Sequence, residues 1–129
     1  MATLFTRIVN GEIPCYKVAE TDDFLAFLDI QPIVRGHVLV VPKLEVDYIF
    51  DIDNDLLSKM IVFSKEVASK IKTAYPCKKV GVSVIGLEVP HAHIHLIPIN
   101  SLTDMNFASS KLTLDASELE FIANKIASS

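Results

Sequence analysis

The hydrophobic positions change period along the chain, and each change marks an element. "LFTRIVNGEI" predicts a short helix, closed by Asn10-Gly11 because glycine takes the left-handed conformation that ends helices. "YKVAET" then alternates every second residue, which predicts a strand. "DFLAFLDI" predicts another, and the polar "ETDD" between them makes the two a hairpin. After a turn-rich connection, "QPIVRG", comes "HVLVVPK". It is β-branched and almost continuously apolar, as suits a central strand buried on both faces.

From Asp55 to Tyr75 the period lengthens. Leu56, Met60, Phe63, Val67, Ile71 and Ala74 recur every three or four residues, the signature of a long amphipathic helix. Asp51, Asp53 and Asp55 suit its positive N-terminus, Lys70 and Lys72 its C-terminus, and Pro76 stops it. "KVGVSVIG" and "HAHIHLIPI" read as two further strands. "LDASELEFIANKI" reads as a terminal helix with Asp115 and Glu118 spaced as a capping box. Strand runs broken by one long helix predict an α+β fold with a mainly antiparallel, five-stranded sheet.

Composition narrows the classes. A chain of 129 residues, half of them hydrophobic, is expected to form one domain, residues 1–129, with a full core. The apolar runs fall short of the roughly 20 residues of a membrane span, and the N-terminus lacks the apolar stretch of a secretory signal. A cytoplasmic protein with Cys15 and Cys77 reduced is expected. The net charge is −4 with no basic cluster, which argues against nucleic acid as a partner. A small phosphate-bearing ligand needs only a local site.

"HAHIHLIPI" changes the picture most. On a strand, His91, His93 and His95 would share one face, within about 7 Å of each neighbour. Ala92, Ile94 and Leu96 would share the other and pack under the long helix. Core packing does not assemble three imidazoles, whose protonation states would interfere. Two chemistries fit. One is a metal-dependent hydrolase using His-x-His-x-His, although zinc needs further ligands. The other is nucleophilic catalysis by imidazole, with neighbouring histidines serving protons and phosphate oxygens. The fourth histidine, His37, opens the buried strand and serves either.

"GLEVPHAHIHLIP" resembles the signature of the histidine-triad (HIT) family, and "IVNGEIPCYKVAETDDFLAFLDIQPIVRGHVLVVPK" is similar to the family's helix, hairpin and Gly-His strand. The resemblance runs from about Leu4 to Ile99. It implies a HIT-like fold whose sheet continues across a homodimer. It also implies a purine nucleotide, or a nucleoside monophosphate conjugate, bound on the histidine face. By match to the motif, His93 is the nucleophile on the α-phosphorus and forms a nucleotidyl-histidine that water hydrolyses. The His91 carbonyl fixes the tautomer of His93, and His95 and His37 hydrogen-bond phosphate oxygens. A pKa of about 6.5 lets imidazole serve as both nucleophile and leaving group. Asp29 matches the ribose-binding position, although a strand-end turn also explains it. Phe5, Ile8, Ile13, Phe27 and Ile30 match apolar positions around the base, and ordinary core explains them too. No cofactor is implied.

The chain also departs from the pattern. Thr3 and Thr6 stand where the family often has a Cys-x-x-Cys that helps bind structural zinc, so no such metal is expected. Leu87 replaces a usual glutamine, and Ser83 stands near a usual asparagine. Glu88 replaces a Ser or Thr that can protonate the leaving group; a carboxylate does so only with a raised pKa, and a solvated turn residue is the plainer reading. These changes keep open a non-catalytic nucleotide-binding or sensor protein beside the hydrolase and metal-dependent readings.

Overall fold

A computed structural model describes residues 2–129. The elements are α1 (Leu4–Val9), β1 (Lys17–Glu20), β2 (Phe24–Leu28), β3 (Val38–Pro42), α2 (Asn54–Ala74), β4 (Lys79–Ser83), β5 (Ile94–Ile99) and α3 (Ala116–Ala127). The strands form one antiparallel sheet in the order β1-β2-β3-β5-β4. The α+β architecture read from the sequence is the one observed. β5 inserts between β3 and β4, so the end of the histidine stretch lies on an interior strand of the sheet.

Local chemistry sets the helix ends. Thr3 caps α1 by accepting the Thr6 N–H, and Gly11 follows Asn10 with φ +79°. Asp53 accepts the Leu56 N–H at the start of α2. Asp115 accepts the Glu118 N–H at the start of α3, but the reciprocal half of the expected capping box is not made. Glu118 instead pairs with Arg35. A complete capping box forms elsewhere, between Ser101 and Asp104, in a 3₁₀ turn the sequence reading passed over.

The sheet has two covered faces. Val38, Val40, Ile94 and Leu96 point toward α2 and α3 and meet Met60, Phe63, Val67, Ile71 and Ile126 in the main core. Ala92 joins them, so the apolar partners of the histidines pack under the long helix as the alternation predicted. On the opposite face Phe5 of α1 packs with Leu25, Phe27, Leu39 and Val41. Beyond β5 that face is covered by the 3₁₀ turn at Leu102–Met105. A side chain on Gly81 would lie 2.8 Å from Met105 Sδ, so glycine allows this turn to close on the strand. Between α1 and that segment the sheet stays open, and the histidines lie there.

Candidate functional site

The gap is a cleft of about 450 Å³, within the range of small-molecule sites. Its base is lined by Phe5, Ile8, Ile13, Phe27, Leu39 and Ile30, and its polar lining includes Asp29, His37, His93, His95 and Glu88. Phe5 and Phe27 are also core, at 5.6 Å edge to face. Core residue and cleft lining are therefore one role for these two.

The histidines differ from the expected row. β5 begins at Ile94, so only His95 lies on the strand; His91, in a bend, and His93 precede it. His93 and His95 still meet, with ring centroids 5.0 Å apart. His91 lies on the same side of the sheet, 5.9 Å from the Phe5 ring that also meets His93, but it does not reach the cleft. Its ring is fully buried, with Nε2 2.8 Å from the Pro42 carbonyl and Nδ1 2.8 Å from Thr3 Oγ1.

Hydrogen-bond partners decide which nitrogen carries each proton. The Pro42 carbonyl only accepts, so His91 holds its proton on Nε2 and accepts from the Thr3 hydroxyl at Nδ1. The Thr3 oxygen accepts from the Thr6 N–H, and the Thr6 hydroxyl donates to Glu45. Nδ1 of His93 lies 2.7 Å from the His91 carbonyl and must donate to it. Nε2 of His93 is left with a free lone pair. Among the described residues no fully buried side-chain nitrogen or oxygen lacks a partner, so this unpartnered nitrogen reaches the cleft. The Phe5 ring holds the imidazole from the side, 4.9 Å away and edge-on.

A second relay fixes the other pair. The Ile33 N–H donates to Nδ1 of His37, so the proton of His37 sits on Nε2 and donates to Nδ1 of His95, 2.9 Å away. His95 is left with an Nε2–H and no partner for it. Both nitrogens of His37, expected on a phosphate oxygen, are engaged within the protein, and its Nε2–H orients His95. Burial keeps these rings neutral: His37 is lowered to about 3 and His95 to about 4, first by desolvation and then by neighbouring positive charge. Burial also lowers His91.

Asp29 makes the strand-end turn and also lines the cleft. Oδ1 accepts the Gln31 N–H and closes the turn, while Oδ2 lies 3.7 Å from His37 Nε2. Burial raises its pKa. Glu88 and Leu87 sit exposed on the rim, Leu87 at 88 %. Ser83 is the cross-strand partner of His95 and does not line the cleft. The sequence reading missed Thr3 and Glu45 as partners of this site, and Phe107 and Lys111 as part of its lining. Phe107 lies edge-on to His95 at 4.8 Å. Only the Thr-x-x-Thr spacing was visible beforehand.

Donor atoms of Asp29, His37 and His95 converge within 4.8 Å, so a metal has to be considered. The fit is poor. An imidazole that accepts an amide proton at Nδ1 can bind a metal at Nε2 only by giving up its last proton. The three alternating histidines do not converge either, because both ring nitrogens of His91 are taken by the Pro42 carbonyl and the Thr3 hydroxyl.

The family model for the HIT domain matches residues 10–102. The chain belongs to the HIT family. It is 30% identical to an uncharacterized HIT-like protein of Borreliella burgdorferi, over 95% of this chain and 94% of that one. It is 37% identical to an adenosine 5'-monophosphoramidase of Saccharomyces cerevisiae, over 75% of this chain and 62% of the yeast protein. Among solved HIT structures, a HIT-like protein of Bartonella henselae superposes with a TM-score of 0.85 at 29% identity, covering 98% of this chain and 94% of that one. No helix among the described residues is long and apolar enough to cross a membrane.

Proposed function

We propose that this HIT protein hydrolyses nucleoside monophosphate conjugates at the α-phosphorus, with a purine nucleotide in the cleft and His93 as nucleophile. The observation that carries the reading is the 2.7 Å bond from His93 to the His91 carbonyl, which commits Nδ1 and leaves the Nε2 lone pair facing the cleft. Nε2 attacks phosphorus, the bond to the leaving group breaks, and a nucleotidyl-imidazole results. Water then attacks the same phosphorus and returns His93. As the imidazole becomes cationic, its Nδ1–H bond to the carbonyl strengthens, which stabilises the transition state. The Nε2–H of His95 donates to a phosphoryl oxygen. Asp29 Oδ2 accepts from the ribose, and the apolar wall from Phe5 to Ile30 receives the base. Glu88, on the rim, meets the leaving group. The yeast relatives named adenosine 5'-monophosphoramidases support an AMP conjugate as substrate. The reading includes a cytoplasmic homodimer with one domain per chain.

The test is a panel of AMP conjugates with phosphoramidate, ester and phosphoanhydride leaving groups, followed by AMP release. His93→Ala is expected to abolish turnover and to keep AMP binding by calorimetry, because base and ribose contacts lie elsewhere. Near-normal turnover by the variant would sink the mechanism, and loss of activity with a chelator would return the metal-dependent reading. A second reading, a nucleotide sensor without turnover, is favoured by Leu87 on the rim in place of an amide. Tight AMP binding with no release from any conjugate would establish it.

A further inference from the structure

The cleft as proposed must accept an anion, yet the histidines supply it with little positive charge. His37 spends both nitrogens inside the protein, His95 accepts at Nδ1, and His93 must keep a lone pair to react. All three are neutral in that state. Together they offer phosphate one N–H, on His95. Two carboxylates, Asp29 and Glu88, line the same space. A phosphate brought there needs a countercharge, because an uncompensated anion leaving water is strongly disfavoured.

Among the described residues, Lys111 is the only lysine or arginine lining the cleft. It lies on the segment between the 3₁₀ turn and α3, far from any motif. The segment is fastened against the site at two points. The Leu112 N–H donates to the Pro32 carbonyl at 2.8 Å, and the Phe107 ring wedges against His95 and His37, at 4.8 and 6.2 Å. The ammonium donates to the carbonyls of Phe107 and Ser109 and rests 5.9 Å from the Phe107 ring centre. An ammonium has three donors, so one remains for a ligand. Its positive field reaches the histidine pair and Asp29: it adds to burial in holding His37 and His95 down, and it opposes the burial that raises Asp29.

We propose that Lys111 binds the phosphate of the nucleotide and supplies the cleft's one formal positive charge, a role that rests on the nucleotide reading above. The neutral histidines then handle bonds and protons, while the countercharge enters from a separate segment.

The experiment measures AMP and adenosine binding by calorimetry, and kcat/KM on an AMP conjugate, for the wild type, Lys111→Gln and Lys111→Arg. In Lys111→Gln, AMP affinity and kcat/KM should fall about tenfold, as for a charge-assisted bond to a partly exposed lysine. Adenosine affinity should stay unchanged, and Lys111→Arg should recover most of the loss. The salt dependence of AMP affinity should flatten in Lys111→Gln. Unchanged AMP affinity in Lys111→Gln overturns the proposal. So does an equal loss for adenosine and AMP, which would mean that the side chain only holds Phe107 in place. A wild type that binds no AMP and cleaves no conjugate removes the nucleotide reading itself, which is a different result from a wild type that does both while Lys111→Gln matches it.

Discussion

At the scale of single residues, the site is an ordered set of proton positions. Each buried imidazole has a partner that can only donate or only accept, and the choices propagate along the chain of contacts. Pro42 sets His91, with Thr3 donating to its other nitrogen, and the His91 carbonyl sets His93; Ile33 sets His37, and His37 sets His95. Removing the first donor should loosen the nucleophile without touching the substrate. Thr3→Val is expected to lower kcat about five- to tenfold with KM nearly unchanged, the effect of one lost neutral hydrogen bond, and Thr3→Ser to restore it. Steady-state kinetics checks this; a rise in KM at constant kcat would place Thr3 in the base wall instead. The alternating histidines were legible from the sequence because they are one residue type at a fixed spacing, whereas Asp29 and the apolar wall were named only through the family resemblance. The Thr3 contact was not legible, because it joins residues 88 apart in the chain and a hydroxyl carries no pattern.

At the scale of elements, period separated helices from strands because each element buries one face. The start of β5 escaped that logic. Its three preceding residues are buried as deeply as the strand itself, so alternation alone could not show that the ladder begins at Ile94. The segment after β5 escaped too, since its polar composition reads as loop. The outer edge of β4 is unpaired in the chain, and apolar Val82 lies exposed upon it at 56 %. Ile61 is exposed on α2, which packs over β4 and β5, and α3 takes the other flank of α2 through Lys70. An open strand edge beside apolar side chains favours pairing with a second copy. Sedimentation at micromolar concentration should therefore give a dimer, and Val82→Lys a folded monomer. A wild-type monomer of 14.3 kDa would contradict the pairing.

At the scale of the whole molecule, the neutral histidines tie stability to pH. His37, His91 and His95 all have depressed values in the folded state, so between about pH 6.5 and 4 the unfolded chain takes up protons that the native one refuses. Their contribution is fully present above about pH 6.5. It is lost as the pH falls, at up to about 1.4 kcal/mol per pH unit for each group. The raised pKa of Asp29 works in the opposite direction, as one group against three. The urea midpoint should be clearly lower at pH 5 than at pH 7.5; equal midpoints would mean the rings are hydrated rather than buried. The reach of the family match across this architecture has a further meaning. Residues 10–102 contain His37, His91, His93, His95 and Asp29. Leu4, Phe5 and Ile8 lie outside that span on one wall of the cleft, and Phe107 and Lys111 lie outside it on the other. The four histidines and most of the cleft lining thus lie within the matched span, while both ends of the cleft are finished by chain outside it. Substitutions in those outer segments can reshape the opening while the proton positions of the four imidazoles stay intact.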